Sequence, residues 1–133
     1  MQNSKLGNIA GTFSTNTGLV SKALAGIRDD EWGTRPGGES NPPAWVFGHL
    51  VYSRGLLLRL LGLEWTWDKV SARVAGALEN VTAEALARPV ANGLPSFDGK
   101  VAGAVALLGF HETYHVGQLG YLHKWLGHGR LVG

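Results

Sequence analysis

Three histidines in two apolar segments are the residues of this chain whose spacing could support chemistry. His111 and His115 are four positions apart, so on a helix their rings lie about 40° apart around the axis and about 6 Å apart along it. Apolar residues share that face, and His49 lies among apolar residues of an earlier segment. Imidazole is a good ligand for Zn, Ni, Cu and Fe, and three imidazoles leave coordination positions open. His49, His111 and His115 therefore predict a metal site of the catalytic kind.

The alternative interpretation of these histidines is structural. A buried imidazole is costly unless it is satisfied, and hydrogen bonds to the backbone or to another histidine would satisfy it without an ion. The other two histidines carry a different expectation. His123 lies well off the line through His111 and His115, and His128 follows the glycine that would end the helix, so both are expected at the surface.

The segment from His111 to His115 also matches H-E-x-x-H, the zinc-protease pattern in which the glutamate is the general base. The longer form of that pattern requires glycine and histidine where this chain has Gln118 and Tyr121, and no acidic residue follows Glu112. No strand that could hold a peptide is predicted, so a protease is disfavoured. Glu112 is expected at a flank or an interface, and a role as a base or beside the metal site stays open.

Four further side chains are candidates for a pocket around the histidines. Tyr52, Tyr114 and Gln118 lie within about 60° of the histidines around their helix axes. Trp45 lies one helical turn before His49 on the same face. These side chains could line the pocket or orient a ligand, or they could be ordinary core packing with a polar end. No residue is assigned as catalytic from the sequence.

Composition excludes several classes of protein. The chain of 133 residues fits one domain over residues 1–133, and with 44% hydrophobic residues it is neither disordered nor fibrous. It has no cysteine, which excludes disulfides, thiolate metal sites and a cysteine nucleophile. Lysines and arginines are scattered and the net charge is +2, so no nucleic-acid partner is indicated. Arg54 and Arg59 fall off the inward line and are expected on a solvent-exposed face.

The sequence shows no sign of a membrane segment or of export. No apolar run approaches the roughly 20 residues that span a bilayer, and the N-terminus lacks the apolar core of a signal peptide. We therefore expect a cytoplasmic protein with no membrane partner.

Apolar residues recur with a helical period throughout, so the elements that must position the histidines are helices. The first helix is predicted to end near Arg28, and a loop rich in glycine and proline follows. The second is predicted from Asn41 and Pro42, a capping residue before a proline, to about Gly62. A third helix over 68–80, a short helical turn over 82–87 and a last helix from about 98 to 126 complete the chain. Four helices, with long loops between helices 1–2 and 3–4, predict an all-α four-helix bundle.

The two histidine segments resemble a known family. WVFGHL at 45–50 and HxxxHVGQL at 111–119 look like the DinB/YfiT-like superfamily, and the end of the first helix and the closing WLG at 125–127 also fit. The resemblance implies a four-helix bundle, commonly a dimer, with a divalent ion held by His49, His111 and His115. Characterised members of this family include thiol-dependent S-transferases and a thiol-dependent maleylpyruvate isomerase, and many members have no assigned activity.

The resemblance and the absence of cysteine lead to one expected function and two alternatives. Three neutral imidazoles leave a divalent ion its full charge, which lowers the pKa of a bound water or thiol. We expect a metal-dependent S-transferase that acts on a small electrophile with a low-molecular-weight thiol as cosubstrate. The alternatives are a metal-dependent hydrolase or isomerase that uses bound water, and a non-enzymatic protein that binds metal or a small molecule. Zn and Ni are the first candidates for the ion, with Mn and Fe as alternatives.

Small residues form a stripe on the outer faces of the first and last helices. Between 101 and 123 Glu112 is the only formally charged residue, and a helix that is uncharged nearly all round is usually buried all round. We therefore expect a homodimer, although a small, weakly polar surface would give the same pattern. The stripes consist of Gly7, Gly11, Ser14, Gly18, Ser21 and Ala25, and of Ala102, Ala106, Gly109, Thr113, Gly117 and Gly120.

Overall fold

Helices form the framework of the part of the chain that the structure describes. The computed structural model describes residues 6–64, 70–91 and 93–133. Within these ranges five helices are present, four long and one short: α1 Gly7–Gly26, α2 Pro43–Leu60, α3 Val70–Asn80, α4 Ala83–Ala87 and α5 Val101–Trp125. A 3₁₀ turn, Pro36–Gly38, lies between α1 and α2. The predicted all-α class is confirmed, and the turn predicted over 82–87 is α4.

The four long helices pack as the corners of a bundle. α1 packs against α5 and α3, and α2 packs against the same two helices, while α4 lies against α5. One apolar cluster joins all four long helices and α4, around Phe13, Leu57, Val74, Leu86 and Val105. A second cluster joins α1, α2 and α5 at the other end, around Ala23, Val46, Leu50, Leu119 and Leu122. The α2–α5 contact is therefore packed at both ends, which fixes the two helices that carry the predicted site.

Two helix starts differ from the prediction. α2 begins at Pro43, with Pro42 at the capping position, and no side chain caps it by a hydrogen bond, so Asn41 is not the cap. α5 begins at Val101 because the Asp98 carboxylate accepts the backbone N–H of Lys100 at 2.9 Å and so belongs to the preceding turn. The first two residues of the predicted third helix, 68 and 69, lie outside the described residues.

The segment after α5 folds back onto the end of α1. Gly127, with φ at 87°, ends the helix as predicted. Leu131 is buried in the second apolar cluster, and its backbone carbonyl accepts a hydrogen bond from Lys22 Nζ at 2.8 Å. This tail therefore holds the C-terminal end of α5 against α1.

Candidate metal centre

The three predicted histidines meet between α2 and α5. His49 Nε2 lies 3.0 Å from His111 Nε2, and His115 Nε2 lies 3.1 Å from the same atom. Each residue offers one ligand atom, and these atoms all lie within 4.8 Å of one another. His111 and His115 stand one turn apart on α5, so the spacing seen in the sequence brings both rings to one point, and the packing of α2 on α5 supplies the third ring.

Hydrogen bonds among the rings do not satisfy this cluster. His111 Nε2 faces two ring nitrogens, and a single proton on it cannot make good hydrogen bonds to both. His111 Nδ1 is buried and has no hydrogen-bond partner among the described residues. Three unprotonated Nε2 atoms that converge on a cation are an arrangement that satisfies both close contacts at once. The donor set therefore fits a metal ion better than it fits the structural interpretation.

The distances between the nitrogens also suit an ion. With a metal–nitrogen bond of about 2.1 Å, two imidazole nitrogens lie about 3.0 Å apart at a right angle and about 3.4 Å apart at the tetrahedral angle. The observed separations of 3.0 and 3.1 Å match ligands near right angles, and three ligands leave further coordination positions on an ion open. The His49, His111 and His115 cluster is thus compatible with metal binding.

Gln118 fixes the proton on one of the candidate ligands. Its side-chain oxygen lies 2.6 Å from His115 Nδ1, so Nδ1 carries the proton and donates it to the amide oxygen. The Nε2 lone pair of His115 then points to the cluster. Hydrogen bonds of this kind orient metal-bound histidines and raise their affinity for the ion. The structure thus places Gln118, predicted as a pocket residue, directly against His115.

The surroundings of two of the histidines disfavour their protonated forms. Burial lowers the pKa of both His49 and His111, and the neighbouring histidines lower it further. Unprotonated imidazoles are the form that binds metal. In the described residues the cluster contains no carboxylate, so nothing in it would offset the charge of a divalent ion.

Two exposed aromatic rings, those of Trp45 and Tyr114, contact the histidines of the cluster. Trp45 is stacked on His49, with ring centroids 4.7 Å apart and planes 12° apart, and its edge meets His115 at 5.9 Å. Tyr114 also meets His115 edge to face, with ring centroids 5.3 Å apart. Trp45 is 43% exposed and Tyr114 is 61% exposed. Tyr52, the remaining pocket candidate, is also exposed, one turn after His49 on α2.

The sequence-based predictions of where Arg54 and Glu112 lie were wrong, because both side chains are buried. Arg54, expected on a solvent-exposed face, is 6% exposed, and Glu112, expected at a flank or an interface, is 1% exposed. They form a buried ion pair in which Arg54 Nε donates to a Glu112 carboxylate oxygen at 2.7 Å. The Glu112 carboxylate is therefore held by Arg54, which argues against a role as the general base of a zinc protease.

His123 and His128 were predicted at the surface, but His123 is buried, His128 is partly buried, and both rings are hydrogen-bonded. His123 is 6% exposed, and its Nδ1 lies 3.0 Å from the Gly129 carbonyl oxygen, to which it donates. His128 is partly buried, with Nε2 2.7 Å from a carboxylate oxygen of Glu31. Both rings therefore tie the tail to the rest of the bundle and lie outside the metal cluster.

The comparison with known families decides what kind of chain this is. The family model of the DinB superfamily matches residues 12–119, a range that includes all three histidines. The chain belongs to the DinB superfamily. The resemblance seen in the two histidine segments is thereby confirmed, and this DinB chain has the bundle of four long helices that the family implies. Among curated proteins and among solved structures, no match to the chain was found.

The length and apolar character of the helices determine whether any of them could cross a bilayer. No helix within residues 6–64, 70–91 and 93–133 has both the length and the apolar character needed to cross a membrane.

Proposed function

We propose that this chain binds a divalent metal ion through His49, His111 and His115 and works as a metal-dependent S-transferase. The observation that supports this most directly is the convergence of three ring nitrogens at separations of 3.0 and 3.1 Å, with no carboxylate in the cluster. The ion would supply Lewis acidity, which lowers the pKa of a bound thiol or water. Zn and Ni are the first candidates for it, with Mn and Fe as alternatives.

The chain's own residues hold and shield the site in this proposal. Gln118 keeps the Nδ1 proton of His115 in place, and Trp45 covers one face of His49. The chain has no cysteine, so the thiol must come from a small cosubstrate. In the reaction the thiolate sulfur forms a bond to the electrophilic carbon, the leaving group departs with the electrons of its bond, and the thiol proton goes to solvent.

Metal content is the first test of the proposal. The purified chain, refolded or expressed with added Zn²⁺ or Ni²⁺, should hold close to one ion per chain, because three preorganised imidazoles converge. His49→Ala and His115→Ala should reduce the metal content strongly. His128→Ala is the matched control, since His128 lies outside the cluster and should leave the metal content unchanged. Equal and negligible metal in wild type and variants contradicts the proposal.

The reaction type is tested with 1-chloro-2,4-dinitrobenzene as the electrophile and L-cysteine as the thiol. We expect the electrophile to be consumed above the uncatalysed rate only when metal and thiol are both present, with release of chloride. Consumption without thiol would instead support a hydrolase that uses bound water. No consumption of this or other electrophiles by the metal-loaded chain would support a protein that binds metal without turnover.

We also propose that two chains associate as a homodimer. The small residues of the α1 stripe are exposed, as are Thr113 and Gly117 of the α5 stripe, whereas Gly109 is already covered within the chain by Phe13. Exposed patches with few charges often mark contacts between subunits. Sedimentation at micromolar concentration should show a dimer, and a monomer alone would contradict the proposal.

A further inference from the structure

We propose that the open side of the histidine cluster takes a small aromatic anion, a flat ring that bears one carboxylate or thiolate group, and that Trp45 and Tyr114 select it. This inference rests on the proposed metal site and adds the class of ligand that the site accepts. The anionic group would lie towards the ion and the ring would lie against the two aromatic side chains.

The position of the two rings supports an aromatic body for the ligand. Trp45 comes from α2 and Tyr114 from α5, yet both meet the same imidazole, His115, at centroid distances of 5.9 and 5.3 Å. Two exposed rings from different helices thus flank one imidazole of the cluster. Aromatic pairs favour offset or edge-to-face contact at centroid distances of about 4.5–7 Å, and an aromatic ligand packed on either exposed ring would gain such a contact.

The exposure of the two rings shows that they are not simply core residues. Trp45 is 43% exposed and Tyr114 is 61% exposed, although both touch buried or partly buried imidazoles. A large apolar surface left open beside a polar cluster is typical of binding sites. The side chains are already held by their contacts with the imidazoles, so little conformational entropy would be lost when a ligand binds.

The charge around the cluster supports an anionic head group. Imidazole binds an ion through an unprotonated, neutral nitrogen, so His49, His111 and His115 would bring no charge to it. The carboxylate nearest in sequence, that of Glu112, is buried against Arg54 on another face of α5. A divalent ion in this cluster would keep its full positive charge, and a monoanion is the partner that such a charge favours over a neutral molecule or a cation.

Calorimetric titration of the zinc-loaded chain tests this inference without any measurement of turnover. Benzoate is the probe, acetate has the same head group without the ring, and benzylamine has the ring without the anion. We expect benzoate to bind at least tenfold more tightly than acetate, and benzylamine to show no binding. The apo chain, without the ion, should lose the preference for benzoate over benzylamine.

Variants of the two rings test their assigned role. Trp45→Ala and Tyr114→Ala should each weaken benzoate binding about three- to tenfold and leave acetate binding unchanged, since aromatic contacts contribute at this level. Trp45→Phe, which keeps a ring, should retain most of the affinity. Tyr121→Ala is the matched control, because Tyr121 lies on the same helix at 58% exposure and lines a separate cavity of about 530 Å³. Zinc content is measured for every variant, so that loss of the ion is not read as loss of the ligand.

The outcomes separate this inference from the proposal on which it rests. A wild-type chain that holds no zinc overturns both. Zinc held without a preference for benzoate over acetate overturns only the ligand class. A preference that survives both Trp45→Ala and Tyr114→Ala overturns the role assigned to the two rings.

Discussion

Arg54 donates from Nε and Nη2 to the two carboxylate oxygens of Glu112, at 2.7 Å each, between two helices that both carry candidate metal ligands. The other donors of the guanidinium reach Thr17 Oγ1 at 2.8 Å, Ser71 Oγ at 2.7 Å and the Phe13 carbonyl at 3.0 Å. One side chain thus joins all four long helices. Since Glu112 is next to His111 in the chain, this contact fixes the rotation of α5 that aims His111 at the cluster.

Loss of one partner of this pair should be strongly destabilising. Arg54→Met leaves the Glu112 carboxylate buried without a counter-charge, which typically costs about 3–5 kcal/mol in the free energy of unfolding. Arg54→Met combined with Glu112→Leu should cost less than the sum of the single changes, by about 1–3 kcal/mol. Urea unfolding of the four chains in a double-mutant cycle measures this. Arg59→Met, at an exposed position of α2, is the control and should change stability by less than about 0.5 kcal/mol.

The same experiment bears on the H-E-x-x-H pattern. If Glu112→Leu leaves stability unchanged, the buried ion pair is not what this structure indicates, and a catalytic use of Glu112 returns as an alternative. We expect instead that the free energy of unfolding falls for Glu112→Leu as it does for Arg54→Met.

The burial of Arg54 and Glu112 could not be predicted from the sequence because a helical wheel reads only one helix at a time. Such a wheel predicts that a charged residue is exposed to solvent unless a partner of opposite charge on another helix is already known. Here that charge lies 58 residues away, and the remaining partners lie on α1 and α3. The absence of any other charge on α5 before Lys124 was the available signal, since a lone acidic residue in such a helix needs a buried partner.

Gln118 should control the affinity of the cluster for its ion. Gln118→Leu removes the acceptor for the His115 Nδ1 proton, and loss of such a partner typically weakens metal binding by about 10- to 100-fold. Gln118→Glu keeps an acceptor and should bind zinc at least as well as the wild type. Competition against a chromophoric chelator measures the affinities. Gln118→Leu with wild-type affinity would show that the contact does not orient the ligand.

The histidine cluster itself was accessible to sequence reasoning, whereas its surroundings were only partly so. A spacing of four residues fixes His111 and His115 relative to each other, and an apolar face fixes the side of the bundle on which they lie. The position of His49 relative to the other two histidines depends on how far α2 is shifted along its axis against α5. Tertiary packing at both ends of the α2–α5 contact sets this shift, and the sequence of one helix does not show it. The family resemblance supplied this third ligand more securely than the apolar pattern alone could have done.

Glu31 should make the docking of the tail dependent on pH. The backbone N–H of Arg28 lowers the pKa of the Glu31 carboxyl group, and His128 lowers it further, while burial acts in the opposite direction. A carboxyl group with a lowered pKa in the folded state stabilises the fold above its unfolded pKa of about 4.3, and this contribution is lost as the pH falls through the folded value.

The free energy of unfolding of the wild type should therefore fall between about pH 5 and pH 2 more steeply than that of Glu31→Gln. Glu39→Gln, at an exposed position of the same connection, is the control and should follow the wild type. Identical pH profiles for the wild type and Glu31→Gln would contradict the assigned contact between Glu31, Arg28 and His128.

Two glycines of α1 should respond in opposite directions to the same substitution. A Cβ atom on Gly26 would lie 2.5 Å from Nε2 of His123, whose ring is buried and held by the Gly129 carbonyl, so it cannot move aside freely. Gly26→Ala should lower the free energy of unfolding by about 1–3 kcal/mol through overpacking. Within one chain nothing lies within 4 Å of the atom added at Gly18, so Gly18→Ala should raise the stability of the monomeric chain by up to about 1 kcal/mol through helix propensity. Thermal and urea unfolding compare the two variants with the wild type, and a Gly26→Ala variant as stable as Gly18→Ala would show that His123 does not pack against the end of α1.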